Sequence, residues 1–308
     1  MVSFRYHALS LAAVFLALAV GVVLGASGVS DRLLSAVSAE RDDLGAQVGT
    51  LTAERDELAA AQRASDEFAR RVGPAAVRDL LSGQTVVLVT GADAAAEDRD
   101  ALVDLLAQSG AQVTGEVALT EAVGDPARAD QLRELTARLL PSGAQLPAAA
   151  DTGSLTGGLL GGVLLAGDQA EGTPEEAQAV LTGLATAGFV RPGDVPAPAG
   201  LALVLTGGAL GGPDAADAAA VHARLAAELD RAGGGAVLAG RDGSAGATGA
   251  VGVARAEPAI AGALSTVDDV HRGSGRVSAV LALREQLDGR SGSYGTGTGA
   301  VDGAAPTA

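Results

Sequence analysis

The chain has 308 residues, 48% of them hydrophobic but only 2% aromatic, with 44 glycines and a formal net charge of -16. That balance allows a core of Ala, Val and Leu, and it excludes nucleic acid as a partner, because phosphate contacts need clustered cations. All 21 basic residues are Arg and no Cys occurs, which removes P-loop and Schiff-base lysines, disulfides and thiolate chemistry.

Residues Ala8 to Val29 form one run without a charge. A bilayer core of roughly 30 Å needs about 20 apolar residues as a helix, so the run predicts a single transmembrane signal anchor over residues 1–30. Arg5 and His7 precede it with no acid, whereas Asp31, Glu40, Asp42 and Asp43, interleaved with Arg32 and Arg41, follow it. By the positive-inside rule the short flank is cytoplasmic and the bulk of the chain extracytoplasmic. The alternative is a cleaved signal peptide with small residues Ala26 and Gly28 around the cut, although the apolar run is longer than such segments usually carry.

From 31 to 73 the period becomes heptad. Val37, Leu44, Leu51 and Leu58 fill one column, while Leu34, Arg41, Val48 and Arg55 fill the other. This predicts a weak coiled-coil stalk of roughly 60 Å, stopped by Gly73-Pro74, that self-associates or pairs with a partner helix through the apolar column. A lone amphipathic helix is the alternative.

Residues 74–289 read as an α/β domain with a mainly parallel sheet covered by helices on both faces. Strands are expected at Thr85 to Thr90, Ala111 to Leu119, Gly162 to Gly167, Leu201 to Thr206 and Ala236 to Ala239. Helices are expected at Glu97 to Gln108, Pro174 to Gly188 (started by Thr173) and Pro213 to Ala232. The tail from 290 to 308 has no apolar period and is expected to be disordered.

Chemistry-bearing motifs are few. The turn Gly207 to Gly212 lies where a dinucleotide-binding fold places its phosphate loop, but no G-x-G-x-x-G spacing can be drawn there, so it reads as a strand-to-helix turn. Gly243-Ser244-Ala245-Gly246 resembles a nucleophile elbow, yet position 242 is Asp where the motif needs Gly. Soft metal ligands are limited to Met1 and to His7, His222 and His271, the last beside Asp268 and Asp269. No catalytic, cofactor or metal site is assigned. Ser265 to Asp269 reads either as a contact surface or as a turn whose acid caps the next helix.

The opening MVSFRYHALSLAAVFLALAVGVVLGASGVSDRLLSAVSAERDDL and the segment ALSTVDDVHRGSGRVSAVLALREQLDGRSGSYG resemble the two ends of the actinobacterial MctB family, the copper transporter or copper transport outer membrane proteins. The resemblance implies a role in copper homeostasis in the cell envelope, and some family members are linked to a membrane partner in cell separation and wall synthesis. One span followed by βαβ units is not a pore. Two non-enzymatic expectations follow: a copper-handling component acting through a partner, or a membrane-anchored adaptor for a division or wall partner that uses the coiled coil.

Overall fold

A computed structural model describes residues 4–26, 29–141, 151–167 and 172–307. Gly28, at the alternative cut, lies outside them.

Helix α1 (Phe4–Ala26) is long and apolar enough to cross a membrane. Helix α2 (Val29–Ala76) carries the heptad segment, and Val37, Leu44, Leu51 and Leu58 are all exposed on it. Gly73-Pro74 does not stop this helix, contrary to expectation. Proline's fixed φ is helical, and the helix closes only two residues after it, at Ala76, with Val77 N–H donating to the Gly73 carbonyl at 3.0 Å. Residues up to Arg63 and from Ala64 onward form two compact units.

In the second unit six parallel strands run in the order β2-β1-β3-β4-β5-β6: β1 (Thr85–Thr90), β2 (Gln112–Ala118), β3 (Leu201–Leu205), β4 (Ala236–Ala239), β5 (Ser265–Val267) and β6 (Ser293–Tyr294). Successive side chains of a strand point to opposite faces, and both faces are apolar here. Val87, Val89, Ala202, Val204 and Leu238 face one core, while Val86, Leu88, Leu203 and Val237 face the other. Such near-continuous apolar strands require cover on both sides. Helices α3 (Ala96–Gln108) and α10 (Gly273–Leu287) cover the second core. The first is covered by α4 (Ala129–Leu139), α5 (Thr152–Leu164), α6 (Pro174–Thr186), α7 (Ala215–Ala232) and the short helices α8 (Ala250–Ala256) and α9 (Pro258–Ala261).

Two further expectations are corrected. Gly162 to Gly167 is not a strand: residues through Leu164 close helix α5, and Leu165 makes only an isolated parallel bridge with Ala199. The reason lies four residues apart. A Cβ on Gly153 would stand 2.5 Å from the Val221 carbonyl oxygen, and one on Gly157 2.6 Å from that of Leu225. Glycines at helical spacing thus let α5 lie directly on α7, a close approach familiar from small-residue helix interfaces.

The tail is the second correction. Ser293 and Tyr294 pair in parallel with Thr266 and Val267, and Tyr294 and Ala305 are buried. The Tyr294 hydroxyl donates to Glu285, and burial with that bond holds it above its ordinary pKa. The segment is held by strand pairing and polar clamps, which leave no apolar period to read.

Thr173 starts α6 as expected, in a reciprocal cap: Glu176 N–H donates to Thr173 Oγ1 at 3.2 Å and Thr173 N–H to Glu176 Oε2 at 2.9 Å.

Candidate functional site at the carboxyl edge of the sheet

After β1 the chain moves to β2 on one side, and it later returns to β3 on the other. The order therefore reverses at β1 and β3, and in doubly wound sheets ligands bind outside the carboxyl ends of the strands at such a switch point. A cavity of about 520 Å³ lies there. It is bordered by Ala92 and Asp93 after β1, by Glu121, Gly124 and Asp125 after β2, and by the Leu210 to Ala215 turn leading into α7.

The glycine turn after β3 serves packing. A Cβ on Gly207 would stand 2.6 Å from Asp93 Oδ2, and one on Gly208 2.6 Å from the Asp242 carbonyl oxygen. The exit of β3 is thus wedged between the exits of β1 and β4, and only glycine fits. Around the mouth the charge is opposite to that of a phosphate site: Asp93, Glu121, Asp125 and Asp214 are exposed, and no Arg lines the cavity among the described residues. Asp125 also caps the following 3₁₀ turn, accepting from Ala127 N–H at 2.9 Å.

His222, on α7, closes the inner side and is 7% exposed. Its Nδ1 lies 2.8 Å from the Ala218 carbonyl oxygen. A carbonyl only accepts, so Nδ1 carries a proton. Nε2 is buried without a hydrogen-bond partner.

His271 is elsewhere. Its Nε2 lies 3.2 Å from Asp242, which also faces Arg272 at 3.4 Å. Nearby, fully buried Asp98 sits between Arg241 at 2.9 Å and Arg276 at 2.8 Å. In that network acids and bases neutralise one another; in the cleft no acid is ion-paired among the described residues. His7 lies on α1, and among the described residues no three His, Asp or Glu side chains group closely enough to hold a metal ion.

Ser244 is fully buried and its Oγ has no partner, so nothing activates it, whereas a nucleophile elbow presents an exposed serine beside a base. Ser265 to Asp269 is neither an exposed surface nor a helix cap. Ser265 to Val267 form the buried strand β5, and Asp268 and Asp269 are buried too. The first turn of α10 is instead bonded by Asp66 of α2, whose Oδ1 accepts from Gly273 N–H at 3.2 Å. Asp268 pairs with Arg255 at 2.6 Å and accepts from Thr296 and Gly297 N–H. Burial and the neighbouring Asp268 charge push Asp269 up to about 6.

The cleft acids escaped sequence reading because they come from three segments far apart in the chain. Each does follow a strand exit or begin a helix, which is the signal that an α/β topology makes usable.

The profile of the family described as copper transport outer membrane protein, MctB, matches residues 1–305. The chain belongs to the MctB family. Curated MctB-family relatives carry the name copper transporter MctB. That of Mycobacterium tuberculosis (strain ATCC 25618 / H37Rv) is 43% identical over 309 residues, covering 98% of each chain. That of Mycobacterium leprae (strain TN) is 41% identical over 312 residues, again covering 98% of each.

Proposed function

We propose that this chain serves copper homeostasis as a membrane-anchored component that acts through a protein partner and is not itself the conduit. The observation that carries this reading is the open sheet: β2 and β6 are its edges, and an open sheet cannot satisfy its backbone in lipid. The chain has no Cys, a single Met and three His, so its ligand set is poor for handing copper along. Charge asymmetry around α1 supports an extracytoplasmic domain. Neither this reading nor the next calls for catalysis.

The exposed column Val37, Leu44, Leu51 and Leu58 favours a second role, in which the stalk self-associates or pairs with a partner helix and the chain acts as an adaptor for a division or wall-synthesis protein. One experiment separates the two. Cell-associated copper is measured at sub-toxic copper in the parent, in a deletion strain, and in deletion strains carrying the wild-type chain or Leu44→Asp/Leu51→Asp. The expected result is copper accumulation on deletion, reversed by the wild-type chain and not by the double variant expressed at equal level. Unchanged copper together with chained or misshapen cells would overturn the copper reading in favour of the adaptor.

A further inference from the structure

We propose that the cleft at the sheet's switch point binds an organic cation that carries N–H donors, a guanidinium or primary ammonium group, received by His222 Nε2 and by the carboxylates at the mouth. Two independent observations converge on that chemistry. The carboxylates around the cavity, Asp93, Glu121, Asp125 and Asp214, are hydrogen-bond acceptors. His222 is 93% buried and its Nδ1 is already committed to the Ala218 carbonyl, which leaves Nε2 as a buried nitrogen with no hydrogen-bond partner among the described residues. Buried polar atoms are paired in the great majority of cases, so an unpaired nitrogen on a residue that lines the cavity calls for a partner.

Size and sign decide between classes of ligand. A cavity of about 520 Å³ is the volume of a small-molecule or side-chain site. A bare metal ion would need several ligands around one point, and no group of three His, Asp or Glu side chains offers that among the described residues. Phosphate, the usual occupant of this position in doubly wound folds, would meet four carboxylates and no Arg. A guanidinium or ammonium group presents several N–H donors to scattered acceptors, and charge-assisted bonds of this type are the strong ones. Such a group could belong to a free diamine-like molecule or to a basic side chain of a docked protein.

The test is isothermal titration of the full-length protein in detergent micelles. The probes are agmatine, a short peptide with one central arginine and blocked ends, Cu²⁺ and inorganic phosphate. Agmatine or the peptide is expected to bind saturably. Glu121→Gln/Asp214→Asn, which alters only exposed positions, should weaken binding about tenfold, and His222→Phe about tenfold or more. Thermal unfolding of each variant verifies the fold. Tighter binding of agmatine identifies a free small cation, and tighter binding of the peptide a partner's side chain; both uphold the proposal. It is overturned if neither cation saturates, if binding is indifferent to the Glu121→Gln/Asp214→Asn variant, or if Cu²⁺ or phosphate occupies the cleft and is not displaced by agmatine. The outcome is independent of the copper measurement above.

Discussion

Arg255 is a heavily committed side chain of the domain. At 5% exposure it pairs with Asp268, donates to Thr266 Oγ1 at 2.9 Å and to the carbonyls of Tyr294 and Thr298 at 2.8 and 3.1 Å. Removing one member of a buried pair strands the other charge, which typically costs about 3–5 kcal/mol. Arg255→Ala should lose about that much in urea denaturation, and limited proteolysis should cut the variant first between residues 290 and 308. Asp269 has the opposite character. Its carboxyl is raised from 3.8 to about 6, so the folded state holds a proton that the unfolded state releases, and stability falls as pH rises through that window. Asp269→Asn should therefore be more stable than the parent at pH 8, by up to about 3 kcal/mol, with the gain vanishing near pH 4; equal curves at both pH values would refute it. Neither role was legible in the sequence. Polar residues in a short stretch before a helix read as exposed or capping, and the partners that bury Asp268 arrive from positions 255 and 294 to 298.

Helices and strands with a full period were legible to within a residue or two, because burial on one face leaves a repeat. Helix α4 and the short α8 and α9 were not expected, and neither was α5, which is apolar all round and almost wholly buried, so that no face remains to betray it. Its glycines identify it instead, and they make a paired prediction. Gly157→Val would force a side chain into the α7 backbone and should cost about 1–3 kcal/mol. Gly162→Ala meets nothing within 4 Å and should be neutral or stabilising by up to about 1 kcal/mol. Equal effects at the two sites in thermal unfolding would contradict the α5–α7 packing described here.

At the scale of the whole molecule, the order of apolar helix, long helix and parallel α/β domain was readable from composition shifts alone, since each segment answers to a different solvent or period. The cleft was not, because a cavity belongs to topology and no single segment contains it. The orientation argued from Arg5 and His7 predicts that a protease added to intact spheroplasts digests the α/β domain and leaves a short fragment containing α1; full protection until lysis would place the domain inside. Finally, β6 contributes a sheet edge from positions 293 and 294, and its pairing partner β5 lies 27 residues earlier. Until that segment has been made, Arg255 has no Tyr294 or Thr298 carbonyl to bond and Asp268 no backbone amides from 296 and 297. A chain interrupted before residue 293 thus carries an ion pair whose clamp is missing and a strand open to strangers. A copy clipped there would therefore lose stability at this sheet edge first.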